Sequence, residues 1–144
     1  MSALRDAIVL HLQADANVAP LVGNRIFPGL PAEGSATYPF IAITTQRPSQ
    51  PERVFRGGGA VTDEIAFEDA SYLVKAIDQN TSAKQVGEIN AAIRTSLDGA
   101  AITLTDYELV SLTWTGDVGP FPELANSKTY QHEGGIYQIW ANKT

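Results

Sequence analysis

The stretch YQHEGGIYQIWA, residues 130–141, decides how this chain is read. It holds one of the two histidines, an adjacent glutamate, a glycine pair and three aromatic residues. As a reactive site, it would need His132 and Glu133 to converge on one metal ion or one proton. As a strand, it sends them to opposite faces, because side chains alternate along extended backbone. The pattern favours the strand. Tyr130, Ile136 and Trp140 share one parity, and Tyr137 and Ile139 share the other. Both faces are therefore partly apolar, whereas a sheet with helices on one side is expected to be wetter on the other. The surplus points to a second face, or an edge, that meets another protein. The alternative reading of Trp114 and Trp140 is simple core.

Outward from this strand, the turn-rich GDVGPFPELANS (116–127) separates it from another strand expected over 102–115. A helix is predicted over 82–98. Val86, Ile89, Ile93 and Leu97 line one face, Ser82 and Gln85 have capping-box spacing, and Gly99 is a C-terminal stop. Gly87 weakens that helix, which suggests close packing against a neighbour. Residues 71–77 (SYLVKAI) read as a strand buried on both faces, and 40–45 as a second, alternating strand. Near the N-terminus, Leu4, Ile8 and Leu12 form one helical stripe with Ser2 as a candidate cap. Leu21 and Val22 close a short turn, and 25–27 is a brief extended piece. The order helix, strand, strand, helix, strand, strand predicts an α+β domain spanning 1–144. Its antiparallel sheet would have about four strands, with two main helices on one face.

Residues 46–61 (QRPSQPERVFRGGGAV) carry two prolines and three consecutive glycines, and read as a long loop or flexible arm over 47–61. Arg47, Arg53 and Arg56 lie there, and DEIAFED (63–69), with Glu64 and Asp69, follows. Such arginines either make a solvated loop or dock on an acidic surface, for which the 63–69 segment of a neighbouring copy is one candidate.

Composition sets the outer limits. The 144 residues are 44 % hydrophobic and 18 % charged, enough for one domain with a real core. No apolar run approaches the roughly 20 residues of a membrane span. The N-terminal MSALRDAIVLHLQ has polar residues among its apolar ones and no small-residue cleavage site, so it reads as a helix and not a signal peptide. The absence of cysteine excludes disulfides and thiolate sites. A net charge of −6 argues against gripping nucleic acid, since that affinity comes from neutralising phosphates.

No catalytic or metal-binding constellation emerges, and no cofactor is expected. A zinc site needs three or four convergent ligands, but there is no HExxH, and His11 lacks a carboxylate four residues on. The glycines at 57–59 are not followed by GK[ST], and neither GxSxG nor SxxK occurs.

Taken in order, LVGNRIF, YPFIAI, YLVKAI, SAKQVGEINAAIRTSLDG, LVSLTW and HEGGIYQIWA resemble the small tail-completion, or tail terminator, proteins of long-tailed phages. The resemblance covers nearly the whole chain. It implies a non-enzymatic virion protein assembled in the host cytoplasm into a ring, typically hexameric. The ring would cap the head-proximal end of the tail tube, halt polymerisation and offer a surface to the head connector or stopper protein, with DNA passing through the lumen. The chain departs from shorter members at 47–61 and in the acidic segment after it. With the surplus apolar face, this makes Arg47, Arg53, Arg56, Glu64, Asp69, Tyr130, Ile136 and Trp140 the expected interface with another subunit or the tube. The alternatives are a head-side connector or adaptor, and a monomeric ligand-binding domain or enzyme without a recognisable motif.

Overall fold

The stripe Leu4, Ile8, Leu12 folds as expected, into helix α1 (Ser2–Ala14), and all three side chains are fully buried. The computed structural model describes residues 2–31, 37–56 and 62–144, with side chains for 3–31, 37–47 and 68–144. After α1 come α2 (Ala19–Val22), β1 (Ile26–Phe27), β2 (Phe40–Arg56), β3 (Thr62–Asp78), α3 (Lys84–Leu97), β4 (Tyr107–Ala125) and β5 (Lys128–Lys143). The described strands form one sheet in the order β1-β2-β3-β5-β4.

The class is α+β, but the sheet has five strands and is mixed. The four long strands pair antiparallel, while β1 runs parallel to β2 with Ile26 opposite Ile41. A two-residue strand is too short to show a period of two, so the sequence marks it only as an extended piece. It is anchored by the Ile41 amide donating to the Arg25 carbonyl (2.9 Å) and Arg25 Nε donating to the Pro39 carbonyl (2.7 Å).

The main core lies between this sheet and the helices. Val86, Ile89, Ile93 and Leu97 of α3 are fully buried and pack with the α1 stripe, Ile41 and Ile43, Tyr72 and Val74, and Tyr137 and Ile139. Each large aliphatic side chain taken from water contributes about 1.5–3 kcal/mol. The opposite parity of β2 and β3 gives Phe40, Ala42 and Ile77, a smaller cluster packed with Phe27 and Tyr38. Residues 71–77 are thus fully buried on the helix side and only partly covered on the other.

Helix α3 starts later than the capping-box spacing implies. Asn80 Oδ1 accepts the Ser82 amide (3.1 Å), turning the chain first, so the Ser82 hydroxyl receives the Lys84 amide (3.2 Å). Ala83 occupies the N-cap with no side-chain bond. Gly99, at φ +72°, ends the helix as expected, and its amide donates to the Leu112 carbonyl (2.8 Å).

Two stretches read as loops are strands. Strand β4 starts at Tyr107, not 102, and continues through GDVGPFPELA; only Asn126 and Ser127 turn, at φ 52° and 63°, the paired left-handed geometry of a tight hairpin. Likewise 46–56 continue β2. Both are edge strands over these lengths, where a proline without N–H breaks no ladder bond. Bulges absorb the misfits: three register shifts interrupt β4 against β5, and three interrupt β2 against β3. Strand β3 leaves β5 at Phe67 opposite Asn142, so the end of the β2–β3 hairpin has no third strand among the described residues.

The glycines of α3 and β5 differ in what they permit. A Cβ on Gly134 would lie 2.6 Å from the Val74 carbonyl oxygen and 2.8 Å from Lys75 Cα, whereas one on Gly87 meets only Glu133 oxygens at 3.7 and 3.8 Å. Close packing therefore explains Gly134 and not Gly87. Gly134→Ala should destabilise by at least about 1–3 kcal/mol. Gly87→Ala should stabilise by up to about 1 kcal/mol, through helix propensity and a less free unfolded chain. Thermal unfolding of both variants measures this, with expected Tm changes of opposite sign.

Candidate interaction surface

The alternation of β5 separates two environments. Glu133 points to the helices, where Asn90 Nδ2 of α3 donates to its Oε2 (3.0 Å). His132 points the other way and stacks flat on Phe121 of β4, with ring centroids 4.9 Å apart and planes 3° apart. The two side chains do not converge. His11 is also occupied, with Nε2 3.1 Å from the Ser96 carbonyl oxygen. Among the described residues, no group of three His, Asp or Glu side chains has metal-site geometry.

On the helix-free face, a cleft of about 370 Å³ opens at one end of β5. Its apolar part is built from Leu30, Tyr38, Phe40 and Tyr130. Tyr38 lies 5.3 Å from Tyr130 and 5.4 Å from Phe40, ring to ring. Its polar part is Lys75, His132 and Glu123. Lys75 sits opposite the side-chain-free Gly134, which lets its chain cross β5 and bring Nζ to 5.8 Å from the Phe121 ring centre. His132 is only 7 % exposed, and neither ring nitrogen has a hydrogen-bond partner. The nearest acid, Glu123, is 3.8 Å from Nε2, beyond hydrogen-bond range. Burial, then the neighbouring Lys75 charge, holds the His132 pKa below the usual imidazole value. Burial likewise lowers Lys75.

The other end of the face is internally paired. Arg47 Nη2 donates to Asp69 Oδ1 at 2.6 Å, and Gln138 Nε2 donates to the same oxygen at 2.9 Å. Burial alone would raise the Asp69 pKa; the bonds from Gln138 and Arg47 outweigh it and keep the carboxyl below its usual range. Arg47 thus has an acid within its own chain, Asp69, and both side chains remain partly exposed. Trp140 stands opposite Asp69 in the β3–β5 register and is 42 % exposed. Ile136 and Tyr130 share its face and are half-buried. Trp114 is on the helix side, half-buried under the Arg94 guanidinium, 3.6 Å from the ring centre. The side chains of Arg53, Arg56 and Glu64 lie outside the described residues; their backbones belong to β2 and β3.

Sequence reasoning missed the cleft. Its legible signal was Lys75, a charge within the apolar run SYLVKAI, where a strand buried on both faces has no place for one. Tyr38, Phe40 and Tyr130 gave no comparable sign, because only the folded strand pairing gathers them.

The chain is a two-layer α+β domain whose sheet is covered by helices on one face and not on the other. The tail completion protein gp17 family model matches residues 6–119, and the chain belongs to that family of phage tail proteins. It is a structural component of the virion tail. Comparison with curated proteins gives no match. Among solved structures, a chain of the virion of a native gene transfer agent particle is similar at TM-score 0.71 and 18 % identity, over 98 % of this chain and 96 % of that one. At that identity the likeness establishes the fold. Among the described residues, no helix is long and apolar enough to cross a membrane.

The cleft predicts a pH dependence. A histidine whose pKa is lowered on folding binds fewer protons in the native state, so its stability is full above the unfolded value near 6.5 and falls as pH drops below it. Thermal unfolding at pH 7.5 and pH 5.5 should show the wild type losing more Tm on acidification than His132→Phe, which keeps a ring against Phe121 but cannot be protonated.

Proposed function

We propose that the chain is the ring-forming subunit that closes the head-proximal end of the tail tube, stops its polymerisation and joins the tail to the head. The observation that carries this is the helix-free sheet face. It presents the aromatic cleft at one end and Trp140 at the other, opposite the helix layer. A subunit that buries such a face against a different surface of the next copy makes a head-to-tail contact, and such contacts form a ring where the rotation between copies closes. Family membership supports a tail-end role. The net charge of −6 suits a lumen through which DNA slides. The partners in this reading are other copies, with six as the expected number, the tail tube protein and the head connector or stopper.

The end of the β2–β3 hairpin belongs to the same reading. A two-stranded ribbon is marginal alone in water, so a neighbouring copy or the tube is its natural support. Arg53 and Arg56 provide fork-shaped donors for carboxylates there.

Light scattering during gel filtration, with electron microscopy of the protein mixed with tail tubes, provides the test. A closed ring, expected to be hexameric, should form or be captured at tube ends, and tubes should stop growing. Exchanging Arg53 and Arg56 together for Ser should leave the subunit's Tm unchanged and reduce ring formation or capping. A strict monomer at every concentration, unable to bind tubes, contradicts the reading.

A further inference from the structure

The cleft holds two polar groups that the chain leaves without matching partners. His132 is more than nine-tenths buried, lines the cleft and has no hydrogen bond at either nitrogen. Lys75 also lines it, and among the described residues its ammonium has no carboxylate within ion-pair distance: it lies 5.8 Å over the face of Phe121 and meets the charge of Glu123 at longer range. Glu123 stays at the rim, its side chain 58 % exposed and 3.8 Å from the imidazole. Beside these donors lies the apolar bed of Tyr38, Tyr130 and Leu30. An occupant that satisfies both halves brings a carboxylate and a neighbouring large aliphatic side chain.

The helix layer carries that pair. Leu10 of α1 is 66 % exposed. The other large exposed apolar side chains among the described residues, Leu30, Val110, Phe121, Leu124 and Trp140, belong to the sheet strands or to the loop before β2. Asp6, four residues before Leu10, is exposed too. Residues four apart share one helix face with Cβ atoms roughly 5–6 Å apart. The α1 stripe that faces the core is Leu4, Ile8 and Leu12, so Asp6 and Leu10 look outward, on the side of the molecule away from the cleft.

We propose that the cleft is the receptor for α1 of a second copy of this chain, with Leu10 seated on Tyr38 and Tyr130 and the Asp6 carboxylate against Lys75 and His132. The claim rests on the ring reading above and specifies its interface. Because knob and cleft lie on opposite layers, the contact is head-to-tail and propagates from copy to copy. It supplies a carboxylate in direct contact with a half-buried lysine that Glu123 reaches only at longer range, and covers the most exposed leucine of the helix layer.

A charge exchange tests it. Asp6→Lys and Lys75→Glu should each lower ring assembly at least tenfold, measured by light scattering over a concentration series. The double variant, which restores opposite charges across the contact, should regain most of it. Leu10→Ser should weaken assembly without changing the subunit's Tm. Asp6→Lys and Leu10→Ser lie on an exposed helix face and fold, so they report on the contact even where Lys75→Glu destabilises the subunit. Rings that form normally in both α1 variants overturn the proposal and leave the ring reading standing. Normal rings that lose tube capture only in Lys75→Gln also overturn it, assigning the cleft to another protein. A wild type that stays monomeric with tubes present overturns the ring reading, and this inference with it.

Discussion

The fold depends on the close approach of β5 to β3 at Gly134. There the backbone of β3 comes so near that a single added carbon would meet the Val74 carbonyl oxygen at 2.6 Å. This contact seats β5 between β3 and β4, which are otherwise joined only through α3. It also fixes register. A slip of one residue would send Tyr137 and Ile139 out of the core and put His132 into it, because the period of a strand is two. The same missing side chain opens the path by which Lys75 crosses β5 to Phe121. One glycine thus serves the sheet and shapes the cleft.

The two faces divide the work. On the helix side, some polar groups pair within the chain: Asn90 donates to Glu133, and the Tyr107 hydroxyl donates to the buried Glu68 at 2.8 Å, while the Tyr137 hydroxyl and Asn90 Oδ1 are buried without a hydrogen bond. Burial and the Glu68 bond push the Tyr107 pKa up to about 12, as expected for a phenol whose proton is held by a carboxylate. On the other side, His132 and Lys75 are partly desolvated without a strong acceptor. Buried polar groups without partners cost stability.

Regular periodicity made the helices and the β5 alternation legible in the sequence. Leu4, Ile8 and Leu12, and Val86, Ile89, Ile93 and Leu97, each recur at helical spacing, and every one is buried. The strands at the edges were not legible. Pro48, Pro51, Pro120 and Pro122 read as breakers, yet an unpaired edge and bulges accommodate them. Of the expected interface residues, Tyr130, Ile136 and Trp140 do share the helix-free face. Arg47 and Asp69 come together within the chain, because antiparallel pairing brings distant segments into contact that sequence spacing cannot show. The cleft was invisible for the same reason: Tyr38, Lys75, Glu123 and His132 come from four separated segments.

In the proposed ring, the helix-free face is buried when copies assemble. Trp140 reports on it directly, being 42 % exposed there, while Trp114 lies on the helix side. In a Trp114→Phe variant, iodide quenching of the remaining tryptophan follows the exposure of Trp140 alone. Strong quenching is expected in the isolated protein, and a clear loss of quenching, with a blue-shifted emission, in the proposed ring. Equal quenching before and after assembly would contradict it.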